Sequence, residues 1–169
     1  ENNDEFKYIL TVGDKVLRYI MEEYRVTTHS EEETVQIAQN LESEKFPNMI
    51  ITLSGDLGSG KTVFTKGIAH GLGIDGITSP TFNIIKEYDG ELPLYHIDVY
   101  RLEGNIDNIG LTDYFTKGGV VVIEWADMIK EYLPKDRLDI KIKIVDENTR
   151  VLIFTPHGEK YENLCEACL

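Results

Sequence analysis

The stretch SGDLGSGKT at 54–62 restricts what this chain can fold into more than any other part of the sequence. It contains Gly55-x-x-x-x-Gly60-Lys61-Thr62 and directly follows the apolar run MIITL. This spacing is the Walker A pattern, which requires a strand before the loop and a helix after it. MIITL suits a buried strand, and KTVFTKGIAHGL suits a helix. The sequence therefore predicts a strand, a glycine loop and a helix in that order.

The residue types in this loop indicate a site for a nucleoside triphosphate. Glycines permit positive φ, so backbone N–H groups can close on phosphate oxygens, and the following helix begins with unpaired N–H groups. Lys61 would bring positive charge to the β- and γ-phosphates, and the Thr62 hydroxyl would ligate Mg²⁺. The alternative interpretation is an ordinary glycine-rich turn between a strand and a helix. The ligand-binding residues predicted in the loop are Gly55, Asp56, Leu57, Gly58, Ser59, Gly60, Lys61, Thr62 and Val63.

A phosphate-binding loop of this kind works with a carboxylate at the end of a neighbouring strand. Glu124 ends the apolar run VVVIE, and Asp98 lies in YHIDVYR, where alternation places His96 on the same face as Asp98. The alternatives are a structural pair with Arg101 or a turn cap for Asp98, and a solvated strand end for Glu124. The predicted catalytic residues are Asp98, Glu124 and Lys61, and the predicted metal ligands are Thr62, Glu124 and Asp98. Which of the two acids is catalytic stays open.

A polar loop, Thr78-Ser79-Pro80-Thr81, follows the predicted helix. Loops of this type can sense a γ-phosphate or Mg²⁺, as GTPase switches do, although such clusters are also typical of plain loops. Ser79 and Thr81 are therefore further predicted ligand contacts. Trp125, the only tryptophan, stands beside Glu124, where it would pack in the core or line the site.

The order of elements predicts an α/β fold, a P-loop NTPase-like mixed sheet with a parallel core, antiparallel hairpin additions and flanking helices. Ser30 and Glu33 form a capping box that begins a helix over THSEEETVQIAQNLESE. NMIITLS (48–54) and GGVVVIEW (118–125) indicate buried strands. One hairpin joins NIIKEY to LPLYHIDVY through a tight turn at Asp89-Gly90, and another joins RLDIKIKIV to RVLIFT.

The predicted domain organisation is a single domain over 24–169, preceded by an N-terminal extension of unknown role at 1–23. Residues 1–23 carry ambiguous patterns, because a short strand-like piece precedes KVLRYIMEEY, whose apolar residues stand at helical spacing. Near the other end, Cys165 and Cys168 form a C-x-x-C. No second pair has the spacing for a zinc site, so we expect reduced thiols on a terminal helix.

The net charge of −13 restricts the partners of this chain. An acidic surface repels phosphate backbones, so we expect no direct, high-affinity binding of nucleic acid. No apolar run reaches the 18 residues or so that a membrane span needs, and the first residues do not resemble a signal peptide. We therefore expect a cytoplasmic protein without membrane contact.

Five segments, GDLGSGKT, SPTFNIIKEY, YHIDVYRL, GLTDYF and VVIEWAD, occur in the order and spacing of a known family. Together they resemble the TsaE (YjeE) family of bacterial P-loop ATPases of tRNA threonylcarbamoyladenosine synthesis. The resemblance implies binding and hydrolysis of ATP with Mg²⁺, and action on the TsaB and TsaD proteins, which modify adenosine 37 of tRNA. It further implies that Asp98 and Glu124 are essential acids, with Glu124 the Mg²⁺ partner, and that Arg150 lies near the nucleotide.

Other functions remain compatible with a phosphate-binding loop. A small-molecule kinase would need an acceptor pocket and usually a lid with arginines, but 103–118 contains no arginine. A nucleotide-gated binding module, in which ATP orders the 78–82 loop and hydrolysis is incidental, is the other alternative. Product analysis and non-hydrolysable analogues separate these hypotheses from an ATPase coupled to partner proteins.

Overall fold

The computed structural model describes residues 23–80, 84–100 and 110–169, together with the backbone pairing of 8–12 and 15–19. The strands are β1 Tyr8–Val12, β2 Lys15–Tyr19, β3 Tyr24–Thr28, β4 Met49–Ser54, β5 Ile85–Tyr88, β6 Leu94–Asp98, β7 Val120–Glu124, β8 Arg137–Ile144 and β9 Arg150–His157. The helices are α1 Glu31–Ser43, α2 Lys61–Gly71 and α3 Glu159–Cys168. Short 3₁₀ helices cover Leu111–Thr116 and Ala126–Tyr132.

Strands β3 to β9 form a seven-stranded sheet in the order β3-β9-β8-β4-β7-β6-β5. Four adjacent strands, β8, β4, β7 and β6, run parallel. Strands β9 and β3 extend one side of the sheet antiparallel to this core, and β5 extends the other. The predicted mixed sheet with antiparallel hairpin additions is therefore confirmed. The parallel strands direct the loops that follow β4, β6 and β7 to one edge of the sheet, where ligands of such sheets usually bind.

The two faces of the sheet are covered by different kinds of helix. The α-helices pack on one face, where Ile51, Leu53 and Phe154 are buried with α2 residues such as Phe64. The 3₁₀ helices cover part of the other face, where Ile129 and its neighbours pack on β6 and β7. Strand β4 is buried on both faces, as expected for the continuous apolar run of a central parallel strand.

Helix α1 begins where the capping box predicts. Ser30 has an extended backbone, and its Oγ accepts a hydrogen bond from the backbone N–H of Glu33 at 3.1 Å. The Glu33 carboxylate in turn accepts from the backbone N–H of His29. The first contact satisfies an N–H group that the first helical turn leaves unpaired, and the second holds the Glu33 side chain against the residue before the N-cap.

The helical spacing of KVLRYIMEEY does not correspond to a helix at residues 15–19, which form β2. This strand pairs antiparallel with β1, from Val12↔Lys15 to Tyr8↔Tyr19. The two strands make a two-stranded sheet of their own. Helical spacing in so short an apolar run is weak evidence, and the intervening Gly13-Asp14 is a pair typical of two-residue hairpin loops.

The tight turn predicted at Asp89-Gly90 is also wrong, although β5 and β6 do form the expected hairpin. Tyr88 pairs with Leu94, so residues 89–93 make the connection. Gly90 lies against the end of α2: a Cβ there would be 2.6 Å from the carbonyl oxygen of Leu72, which accepts from the N–H of Glu91. Packing against α2 therefore decides the shape of this loop.

The cysteines lie on α3, as predicted, and both are free thiols. Burial raises the pKa of Cys165 to about 12, and burial also raises the pKa of Cys168, whose Sγ donates to the carbonyl oxygen of Asn40. Across the described residues, no group of three or more histidine, cysteine, aspartate or glutamate side chains could hold a metal ion. In the same part of the chain, every helix is too short or too polar to cross a membrane.

Candidate functional site

The glycine loop joins the end of β4 to the start of α2, as the pattern requires. Gly55, Gly58 and Gly60 have φ of +148°, +80° and +111°, values that side chains rarely allow. Gly55 has no room either, because a Cβ would lie 2.5 Å from the carbonyl oxygen of Ile142 on β8. The neighbouring hairpin and the backbone conformation therefore both require glycine at this position.

A cleft of about 1070 Å³ opens beside this loop at the edge of the sheet where the parallel strands end. It brings together most residues that the sequence predicts for the site. The predicted residues that line it are Leu57, Gly58, Ser59, Gly60, Lys61, Thr62, Val63, Ser79, Asp98, Glu124 and Arg150. Gly55 and Asp56 do not line it, and their carbonyl oxygens face Lys61 instead. Thr81 lies outside the described residues.

Lys61 is buried in the floor of the cleft, at 7% exposure. Its Nζ donates to the carbonyl oxygens of Gly55 at 2.7 Å and Asp56 at 3.1 Å and lies 4.6 Å from the ring centre of Trp125. Burial lowers the pKa of Lys61, while the carboxylates of Glu124, Asp98 and Asp56 act in the opposite direction. The ammonium group is thus held between its own loop and the acids across the cleft.

Asp98 and Glu124 end neighbouring parallel strands, β6 and β7, and are paired in register. Glu124 is buried at 4% exposure, so it is not a solvated strand end. Its Oε2 lies 2.5 Å from Nε2 of His96. His96, which the sequence places on the same face as Asp98, thus contacts Glu124 on the neighbouring strand. Asp98 is half-buried, and its Oδ1 accepts from the backbone N–H of Tyr100 at 3.0 Å.

The loop at 78–80 contacts the glycine loop directly. The hydroxyls of Ser79 and Thr62 are 2.9 Å apart, so the residue predicted to hold Mg²⁺ is bonded to the residue predicted to sense it. On the outer side, Nζ of Lys86 on β5 donates to Oγ1 of Thr78 at 2.6 Å. This loop therefore connects the start of α2 to the edge strand of the sheet.

Arg150, at the start of β9, is bonded to the glycine loop. Its Nε donates to the carbonyl oxygen of Ser59 at 3.0 Å, and its Nη1 donates to the carbonyl oxygens of Asp146, Glu147 and Thr149. The side chain thus joins the β8–β9 connection to the loop and forms part of the cleft wall. Because the Nε and Nη1 groups of Arg150 donate to backbone carbonyl oxygens, the side chain stabilises the conformation of the glycine loop.

Several cleft residues were missed by the sequence reasoning. Tyr100 is exposed in the cleft with its ring 5.1 Å from that of Trp125. Trp125 itself, which the sequence places either in the core or at the site, lines the cleft with φ +64°, a value that non-glycine residues seldom adopt. Alternation along the sequence places Tyr100 on the same face as His96 and Asp98, but it was not predicted to contact a ligand. The start of α1 and the β8–β9 connection carry no sequence signal for a site; their lining residues are His29, Ser30, Glu31, Glu32, Thr34, Glu147 and Asn148.

The chemistry of this cleft fits a phosphate group with Mg²⁺. Hydroxyl and carboxylate oxygens, here from Thr62, Ser79, Asp98 and Glu124, are the ligands that Mg²⁺ prefers, usually as one or two carboxylates together with phosphate oxygens. The buried Oγ of Ser59 has no hydrogen-bond partner among the described residues. The donors of the loop and α2 would meet an anion, and these oxygens would meet its cation.

The fold and the loop together define a P-loop NTPase-like protein of the mixed α/β class. Residues 28–152 match the model of the family described as "Threonylcarbamoyl adenosine biosynthesis protein TsaE". The match spans most of the chain, and the chain belongs to this family.

Relatives and a solved structure agree with this assignment. The chain is 51% identical over 148 residues to the tRNA threonylcarbamoyladenosine biosynthesis protein TsaE of Bacillus subtilis, covering 86% of this chain and 94% of the relative. It is 42% identical over 104 residues to the protein of that name from Treponema pallidum, covering 60% and 77%. A crystal structure of Bacillus subtilis YdiB superposes with a TM-score of 0.77 at 47% identity, covering 88% and 95%. The predicted family resemblance is thus confirmed.

Proposed function

We propose that this protein binds and hydrolyses ATP with Mg²⁺, and that this activity serves threonylcarbamoyladenosine synthesis at position 37 of tRNA through the TsaB–TsaD pair. The observation that carries the proposal is the convergence of Lys61, Thr62, Asp98 and Glu124 on one cleft beside a Walker A loop. The family membership supplies the pathway. The net charge of −13 supports contact with partner proteins rather than with the RNA.

The loop and the start of α2 would hold the phosphates of ATP. Backbone N–H groups and Lys61 would neutralise their oxygens, and Lys61 would exchange its bonds to Gly55 and Asp56 for bonds to phosphate. Thr62 with Asp98 or Glu124 would hold Mg²⁺, which when bound supplies positive charge to the phosphate oxygens. Tyr100 and Trp125 offer aromatic surface at the same cleft.

Hydrolysis requires a water molecule to attack the γ-phosphorus. A bond forms from the water oxygen to that phosphorus, the bond to the oxygen bridging the β- and γ-phosphates breaks, and a proton leaves the water. Asp98 or Glu124 would orient the water and accept that proton. Arg150 is bonded to backbone carbonyls, so the described part of the cleft offers no arginine donating to its interior. We therefore expect slow hydrolysis until a partner is added.

The test uses the fluorescence of Trp125, which lies next to Lys61. ATP and Mg²⁺ are titrated into the wild-type protein, and phosphate release is then measured with and without the TsaB–TsaD pair. We expect saturable binding, phosphate release without any acceptor, and faster release on addition of the pair. Absence of ATP binding would overturn the proposal, and transfer of phosphate to a small molecule would favour a kinase.

A further inference from the structure

His96 is a fully buried histidine that the proposed function does not use. It lies on β6 between Tyr95 and Ile97, and its side chain is on the face of the sheet that carries Asp98 and Glu124. His96 has 0% exposure and Glu124 has 4%. Their contact therefore lies in the protein interior directly behind the cleft.

The direction of the hydrogen bond follows from the chemistry of the pair. An ionised carboxylate can only accept hydrogen bonds, so Nε2 of His96 carries the proton and donates to Oε2 of Glu124 at 2.5 Å. The other ring nitrogen, Nδ1, is buried without a hydrogen-bond partner among the described residues. The polar contact of this ring is thus directed at Glu124.

This one-sided bonding distinguishes His96 from a histidine that supports the fold. Burying a polar nitrogen without a hydrogen-bond partner is unfavourable, and an apolar side chain of similar size would avoid that cost. The neighbours of His96 on this face, Leu94 and Val122, are buried and apolar. The fold does not need a histidine at 96, whereas the Glu124 carboxylate uses its donor.

We propose that His96 is a positioning residue that holds the carboxylate of Glu124 in the orientation required to bind Mg²⁺ with ATP. Its N–H occupies one carboxylate oxygen and fixes the side-chain rotamer of a group that lines the cleft. Outer hydrogen bonds of this kind typically change metal affinity or activity by about 10- to 100-fold when removed. The inference rests on the proposed function, because it concerns the same site.

The experiment compares His96→Leu and His96→Gln with the wild-type protein. Leucine fills the space without a donor, whereas the glutamine amide places an N–H near the position of Nε2. ATP affinity is measured by Trp125 fluorescence, once with Mg²⁺ and once with EDTA. The kcat and KM for ATP hydrolysis are measured separately, and thermal unfolding checks that each variant is folded. We expect His96→Leu to lower the Mg²⁺-dependent affinity and kcat about tenfold or more, with EDTA affinity unchanged, and His96→Gln to restore most of the loss. The control is His70→Leu, an exposed histidine of α2 outside the cleft, which should behave as wild type.

A double-mutant cycle tests the same inference, and His96→Phe, which also fills the space without a donor, takes the place of His96→Leu if the leucine variant folds poorly. In a Glu124→Ala background, adding His96→Leu should lower the Mg²⁺-dependent affinity no further, because the carboxylate that His96 positions is gone. Equal losses in both backgrounds, or a His96→Leu protein with wild-type Mg²⁺ dependence, would overturn the positioning role. The proposed function fails separately, if the wild-type protein binds no ATP or Lys61→Ala binds it unchanged.

Discussion

Two carboxylates in this molecule lie beside a histidine on the central sheet, and they differ in how fully they are bonded. Asp139 on β8 accepts from Oγ1 of Thr52 at 2.6 Å, from Nε of Arg137 at 2.9 Å and lies 2.8 Å from Nε2 of His157. Glu124 has His96 at Oε2 and lines the cleft. Asp139 belongs to the opposite face, since Thr52 alternates with Ile51 and Leu53, which contact the α-helices.

The comparison shows that a structural carboxylate has both oxygens occupied by hydrogen bonds from the protein, whereas a carboxylate that can act on a ligand keeps an oxygen available. Asp139 ties three strands, β4, β8 and β9, and its oxygens are occupied by protein donors. Glu124 keeps bonding capacity and faces Lys61, whose pKa it acts to raise against the effect of burial. Removing the charge of either residue should therefore affect different measurements.

The largest effect is expected for Glu124→Gln. The amide keeps the shape but removes the charge, so we expect hydrolysis of ATP to fall about 100-fold, as for the loss of one preorganised group in an active site. The free energy of unfolding should change little, because the amide oxygen still accepts from His96. Phosphate release and denaturant unfolding measure the two quantities, and a variant that hydrolyses ATP at the wild-type rate would contradict the comparison.

Asp139→Asn should show the reverse pattern. Its hydrolysis rate should stay within about twofold of wild type, whereas the free energy of unfolding should fall by about 2 kcal/mol, because hydrogen bonds to a charged group are lost. The matched pair of substitutions removes one charge from each carboxylate and keeps its size. A loss of hydrolysis in this variant without a loss of stability would show that Asp139 acts on the site.

A smaller effect is expected when the stability of the wild-type protein is followed as the pH falls. Burial alone would raise the pKa of Asp139, but hydrogen bonds from Thr52, Arg137 and His157 outweigh it and leave the pKa below its usual value. A lowered pKa stabilises the fold above the unfolded-state pKa, near 4, and the stabilisation is lost as the pH falls through the folded-state value. The stability difference between wild type and Asp139→Asn should therefore shrink between about pH 4 and pH 2, measured by urea unfolding.

The smallest effect is expected for Ser79→Ala. It removes the hydroxyl that lies 2.9 Å from that of Thr62, but leaves Thr62 and both cleft acids in place. We expect the Mg²⁺-dependent affinity for ATP to fall about threefold, close to the value of one neutral hydrogen bond. Fluorescence titration of Trp125 measures it, with the exposed Thr78→Ala as the neighbouring control. A fall in this affinity as large as the roughly 100-fold fall in hydrolysis expected for Glu124→Gln would place Ser79 among the metal ligands.

Much of the fold could be predicted because local sequence patterns match the elements that form. The run MIITL, the Gly55–Gly60 spacing and the capping box at Ser30 place β4, the loop and α1 with little dependence on the rest of the chain. Predictions failed where two local patterns compete. Residues 15–19 carry helical spacing beside a hairpin-like Gly13-Asp14, and Gly90 is shaped by its contact with α2.

The sequence alone determined the residue types of the cleft. The loop requires glycines, a lysine and a hydroxyl at fixed spacing, and the two acids can be recognised because each stands at the end of an apolar run that predicts a strand. Tertiary structure decided their partners. His96 contacts Glu124 on the neighbouring strand, and Arg150 donates to the carbonyl oxygen of Ser59, although 28 and 91 residues separate these pairs. Such contacts depend on the order and register of the strands in the sheet, and no local spacing encodes that order.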